Sequence, residues 1–131
     1  MAAHNEIGKL GEDLATKWLE GEGFVIFDRN YRCEGTEVDI VALWTNPSNP
    51  ALVELHFVEV KTLKDTRFSQ PEDAVDAAKM KNMAKVAQFY CFERQLHNIP
   101  CVFDIISVAL DDMENPVIKH FEDFWRPETR Y

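Results

Sequence analysis

The chain has 131 residues, 46% hydrophobic and 28% charged. That fits one domain spanning 1–131 with a core of its own and excludes disordered or collagen-like chains. No apolar run approaches the ~18 residues that cross a bilayer, and the N-terminus lacks the basic and apolar regions of a signal peptide, so an unexported cytoplasmic protein without membrane contact is expected. The net charge of −9 opposes simple polyanion binding, although residues 61 to 85 carry +2 and leave −11 on the rest.

The first periodic segment runs from about Asn5 to Glu22, with Ile7, Leu10, Leu14, Ala15, Trp18 and Leu19 at helical spacing and Asn5 available as a cap. Gly8 and Gly11 fall beside this apolar stripe and suggest a close approach of helix to sheet. Gly21 and Gly23 end the helix. Phe24 to Phe27 reads as a strand, followed by a polar turn through Asn30 to Gly35. Val38 to Trp44 reads as a second strand, Asn46 to Pro50 as a turn, and Leu52 to about Thr62 as a long third strand, so an antiparallel meander is expected.

After a polar loop, Pro71 is placed to open a second helix reaching about Leu96. Met80, Ala84, Ala87 and Cys91 form its apolar stripe, widened by Met83, Val86 and Tyr90. Phe89 and Phe92 lie elsewhere on its circumference, which predicts cover from loops of the same chain or, less favoured, from a second copy. Val102 to Leu110 is an apolar strand of central character, and Val117 to Phe121 a last short one before an aromatic tail with Phe124 and Trp125. The fold class is α/β, a mixed sheet flanked by helices in the order α-β-β-β-α-β-(β). Three scattered cysteines without a CxxC pair, and histidines without ligand spacing, argue for reduced thiols and against a zinc site.

Candidate chemistry concentrates in the third strand. In Glu59-Val60-Lys61, Glu59 and Lys61 share one face of the strand, about 6.5–7 Å apart. Such a charged pair at the end of a buried strand is costly unless paired or used. Taken alone, the triplet is a weak signal, and a solvated strand end bearing a charge pair is the commoner explanation. On the preceding strand Glu37 and Asp39 alternate with Val38 and Ile40, and pairing of the two strands would bring Asp39 toward Glu59 and Lys61. Converging carboxylates repel, and a divalent cation relieves that repulsion. Mg²⁺ (or Mn²⁺) suits oxygen ligands and retained waters, and the Val60 carbonyl can add another oxygen. Lys61 would orient a metal-bound water or stabilise charge in the transition state. Glu12, at the flank of the first helix's apolar stripe, can reach over the sheet edge toward the same cation, although an exposed helix glutamate is the simpler account of it alone.

Together, Asp39 and Glu59-Val60-Lys61 resemble the PD-(D/E)xK nuclease signature. The chain more specifically resembles the YraN family, a bacterial family with a restriction-endonuclease-like, Holliday-junction-resolvase-like fold. The likeness covers roughly residues 5 to 110. It is carried by Gly8 to Ala15 with Trp18-Leu19, Gly23-Phe24, Arg29-Asn30-Tyr31-Arg32, Glu37 to Ala42, Phe57 to Lys61, Pro71 to Val75 with Lys79, and Phe103-Asp104-Ile105 with Val108. It implies a core site of Asp39, Glu59 and Lys61, with Glu12 as the helix carboxylate, metal ligands Glu12, Asp39 and Glu59, and Lys79 as a phosphate contact. Two positions depart from the family pattern. Thr36 stands where glycine usually precedes the Glu-x-Asp step, and Leu63 followed by Lys64 replaces an arginine after the triplet, which makes Lys64 the basic residue available there.

The expected function is therefore divalent-metal-dependent hydrolysis of phosphodiester bonds in nucleic acid, DNA in branched or structured form above all. A homodimer would suit such a substrate because paired strands need paired sites. The competing reading is a catalytically silent nucleic-acid-binding or protein-assembly module on the same fold. A third, a protein adaptor using the acidic C-terminal stretch and Trp125, has less to carry it, since such charges usually form a solvated face.

Overall fold

The computed structural model describes residues 2–65 and 77–126. Helix α1 (Ala2–Gly21) leads into strands β1 (Val25–Cys33), β2 (Thr36–Asn46) and β3 (Asn49–Leu63). Helix α2 (Ala77–Glu93) follows, then β4 (Cys101–Ala109) and β5 (Val117–Trp125). The expected start of α2 at Pro71 lies outside the described residues.

All five strands form one sheet in the order β1-β2-β3-β4-β5. β1 to β3 make the expected antiparallel meander, β3 and β4 run parallel, and β5 returns antiparallel on β4. A parallel neighbour requires a crossover connection, and α2 lies within the segment that makes it. The strongly apolar β4 is internal, with all of its residues but Ala109 buried.

The two helices cover opposite faces. Ala15 and Leu19 of α1 pack with Ile40, Ala42, Val58, Ile106 and Val108. Met83, Val86, Ala87, Tyr90 and Cys91 of α2 pack with Val41, Leu55, Phe57 and Phe103. These two sets alternate along β2 and β3, as the two-residue period of a strand requires. Gly11 sits against β3 so closely that a Cβ there would overlap the hydroxyl of Thr62, whereas the same test at Gly8 meets nothing within 4 Å. The close approach anticipated for both glycines belongs to Gly11 alone.

Other differences have local causes. α1 begins at Ala2, so Asn5 is not its cap. The polar stretch after Phe27 is strand, not turn: β1 continues through Cys33, and only Glu34 and Gly35, both at positive φ, reverse the chain. Polarity misled there because β1 is an edge strand whose residues are largely outside the core. The aromatic tail belongs to β5, where Trp125 packs against Phe103 with ring centroids 5.1 Å apart. Phe92 is 81% exposed and Phe89 43%, so among the described residues no loop buries either ring. No helix among the described residues is long and apolar enough to cross a membrane.

Candidate metal centre

The regular alternation of β2 breaks once. Val38 belongs to the α2-side core and Ile40, two residues later, to the α1-side core. β1 changes face at the same level. Arg29, opposite Ile40, reaches Asp13 of α1 at 2.8 Å, while Tyr31, opposite Val38, packs edge-on against Tyr90 of α2. Between these pairs lie Asn30, with φ of 54°, and Asp39. A left-handed backbone is uncommon outside glycine but is well tolerated by asparagine.

At the same level β2 leaves β3, and their ladder ends at Ile40 opposite Val58. The Val60 N–H, which the ladder would have paired, instead donates to Asp39 Oδ2 at 2.7 Å. Asp39 thus lies beside the edge of β3, between the diverging strands. Glu12 of α1 and Glu37 of β2 join it: one carboxylate oxygen from each of the three lies within 4.8 Å of the others. Gly11 seats α1 on Thr62, which brings the next residue, Glu12, to the site.

The electrostatics follow from this crowding. Burial, then the charge of Glu59, then those of Glu12 and Glu37 push Asp39 up to about 7, against the lowering effect of the Val60 hydrogen bond. Burial also raises Glu12, opposed by Arg29 and reinforced by Glu37. The Arg29 guanidinium stands 3.8 Å from Glu12 but only 2.8 Å from Asp13. Arg32 pairs with Glu37 Oε2 at 2.7 Å. The Asn30 amide nitrogen donates to Glu12 Oε1 and Glu37 Oε1, each at 3.0 Å, in the orientation those two acceptors require. Two or three hard oxygens with a raised, partly buried carboxylate are a donor set that fits a magnesium-like cation.

Of the residues singled out in the sequence, Asp39 and Glu12 meet in this cluster. Glu59 does not belong to it as a ligand-distance member. Its carboxylate pairs with Lys79 Nζ at 2.8 Å on the α2 side, where both rim an apolar cleft with Met83, Phe103 and Trp125. Its charge still acts on Asp39. Lys61 is the next residue of the same face, because β3 and β4 hold one register from Leu55 to Leu63, and it is half-buried. Lys64 is exposed just past β3. Glu37 takes the third place in the carboxylate cluster. Its alternation with Asp39 was the signal for it, whereas Asn30 and Arg29 gave no sign in the sequence of facing α1.

A second polar group lies deeper. Asp104 of β4 is 2% exposed and its Oδ2 lies 2.7 Å from both His56 Nδ1 and His120 Nε2, while Oδ1 accepts from the Asp123 amide at 2.9 Å. His56 Nε2 is 3.2 Å from Glu54. These groups come from β3, β4 and β5 and are hydrogen-bonded to one another beneath Phe24 and Trp18.

The pattern of the uncharacterised protein family UPF0102 matches residues 11–108, a span that contains every residue of the carboxylate cluster. The chain belongs to the UPF0102 family. A UPF0102 protein of Bacteroides thetaiotaomicron is 42% identical over 127 residues, covering 97% of this chain and 98% of the relative. Another, from Pelobacter propionicus, is 38% identical over 113 residues, or 86% of this chain and 77% of the relative. A third, from Phocaeicola vulgatus, is 38% identical over 128 residues, with 97% and 98% covered. All three relatives carry the family designation as their name.

Proposed function

We propose that this UPF0102 protein is a divalent-metal-dependent nuclease of the restriction-endonuclease-like, PD-(D/E)xK kind, hydrolysing phosphodiester bonds in branched or structured DNA. The observation that carries the reading is the convergence of Glu12, Glu37 and Asp39 within 4.8 Å, directly beside the Glu59-Val60-Lys61 strand end through the Asp39 to Val60 hydrogen bond. Glu12, Glu37 and Asp39 would hold a Mg²⁺ or Mn²⁺ ion, with Glu59 close enough in charge to contribute. When bound, such an ion acidifies a water ligand and offsets charge on a phosphate.

The chain's own groups complete the chemistry. Lys61 presents a half-buried ammonium on the Glu59 face, suited to the charge that develops on the phosphoryl oxygens. Lys79 and exposed Lys64 are the phosphate contacts of this reading, and they offset locally the acidity of the whole chain. Two copies acting together would present paired sites to a symmetric junction.

The test is incubation with branched, linear and single-stranded DNA in Mg²⁺ or Mn²⁺. Cleavage lost in Lys61→Ala supports the site, and cleavage that survives the substitution counts against it. One observation favours the silent-module reading: Lys79 already pairs with Glu59 at 2.8 Å. Calorimetric titration with MnCl₂ separates the two readings, since a module without the chemistry has no need of a cation at Asp39.

A further inference from the structure

We propose that Asn30 is a positioning residue for the cation site, clamping Glu12 and Glu37 beside Asp39 with a neutral amide. The inference rests on the metal-centre reading above and assigns to that site a residue which touches no metal itself.

Three observations converge on Asn30. Its φ is 54°, in the region where asparagine is favoured over other side chains. It stands where β1 changes face, between Arg29 on the α1 side and Tyr31 on the α2 side. Its amide nitrogen reaches one oxygen of Glu12 and one of Glu37 at 3.0 Å each, using both N–H donors of a single amide. These two carboxylates come from different elements, and nothing covalent fixes their separation.

The chemistry of the clamp matters as much as its reach. A lysine or arginine in this place would also hold two carboxylates, but its charge would compete with the cation they are to bind. The neighbouring cations show the contrast: Arg29 directs its short contact to Asp13, and Arg32 takes Oε2 of Glu37, the oxygen that Asn30 does not hold. Asn30 orders Oε1 of each carboxylate while leaving its negative charge in place. Partners of this type hold ligands in orientation, and their removal typically weakens metal binding roughly 10–100-fold.

A purely structural role predicts something different. If the left-handed backbone were the whole reason for asparagine, glycine would serve at least as well, since it adopts that conformation freely. The decisive variant is therefore Asn30→Gly in the full chain, measured with MnCl₂ by calorimetry and by thermal unfolding in chelator. Asn30→Gly is expected to melt with the unsubstituted protein yet bind Mn²⁺ roughly 10–100-fold more weakly. Asn30→Ala should lose the same affinity and melt earlier as well, because alanine is strained at positive φ. Unchanged affinity in Asn30→Gly overturns the inference while leaving the metal centre standing, whatever the melting temperature. No Mn²⁺ uptake by the unsubstituted chain overturns the metal centre and this inference with it.

Discussion

Asp39 and Val60 are joined by a hydrogen bond of 2.7 Å in which a side-chain carboxylate takes the place of a backbone carbonyl. It satisfies an amide that would otherwise be orphaned where β2 and β3 separate, and it ties a carboxylate raised to about 7 to the strand bearing Glu59 and Lys61. The same contact draws Asp39 into a partly buried position among like charges, which is unfavourable when no cation is bound.

That cost is measurable. With its carboxyl pushed up to about 7 from an ordinary 3.8, Asp39 stabilises the fold fully below pH 4 and loses that contribution as pH rises through 7, on the order of 4 kcal/mol in all. Asp39→Asn keeps an oxygen for the Val60 amide and removes the charge. In chelator at pH 8 this variant should resist urea better than the unsubstituted protein, with the difference vanishing by pH 4, and it should bind no Mn²⁺. Urea midpoints at the two pH values, followed by metal titration, decide it; a variant less stable at pH 8 would contradict the assignment.

Cation binding should reverse the same penalty. A ligand that binds the native state alone raises its stability by mass action, about 2.7 kcal/mol at a hundredfold excess over its dissociation constant. Mn²⁺ should therefore raise the melting temperature more at pH 8 than at pH 5, where Asp39 is protonated. Glu12→Gln and Glu37→Gln should each shrink that shift, and differential scanning in metal and in chelator measures it. An equal shift at both pH values would place the binding elsewhere.

How much of this was readable beforehand depends on sequence distance. Alternation within β2 and β3 placed Glu37 with Asp39 and Glu59 with Lys61, because a strand's two-residue period is local and each segment is long. The turn of β1 at Asn30 was not readable, since an edge strand of polar residues carries the same composition as a loop. Glu59 facing Lys79 depends on α2 folding back across the sheet. The Asp104 group was equally hidden: His56 and Asp104 lie 48 positions apart and meet only because β3 and β4 pair in parallel. Helical spacing did reveal Gly11, though not that Gly8 would stand free of the sheet.

Gly11 offers a test of how α1 is seated. A Cβ there would overlap Thr62 Oγ1 and stand 3.0 Å from both Cβ and Cγ2 of the same residue. Thr62 is β-branched and half-buried, so it has little freedom to swing aside. Gly11→Ala should cost about 1–3 kcal/mol as an overpacking substitution. Combined with Thr62→Ala, which removes two of the three crowding atoms, part of the loss should return. Urea unfolding of the two single variants and the double variant gives the coupling, and simple additivity would mean that the helix sits farther from β3 than described.

The buried group around Asp104 makes the last prediction. Burial alone would raise Asp104 and lower His56. In each case the partners outweigh it: hydrogen bonds from His120 and His56 lower the Asp104 carboxyl, and the hydrogen bond and charge of Asp104 raise the His56 imidazole. The signs then differ. Asp104 contributes stability above its ordinary value of 3.8 and loses it as pH falls through its lowered one. His56 contributes below its ordinary 6.5 and loses it as pH rises through its raised one. The two contributions are both complete only between about pH 4 and 6.5. Asp104→Asn should remove this plateau and, by leaving buried imidazoles facing an amide, cost about 3–5 kcal/mol. Because β5 is held to β4 through His120 and the Asp123 amide at this aspartate, hydrogen exchange should show β5 opening first in the variant. If β5 stayed as protected as β3, Asp104 would be filling space in the core without fastening the last strand to the sheet.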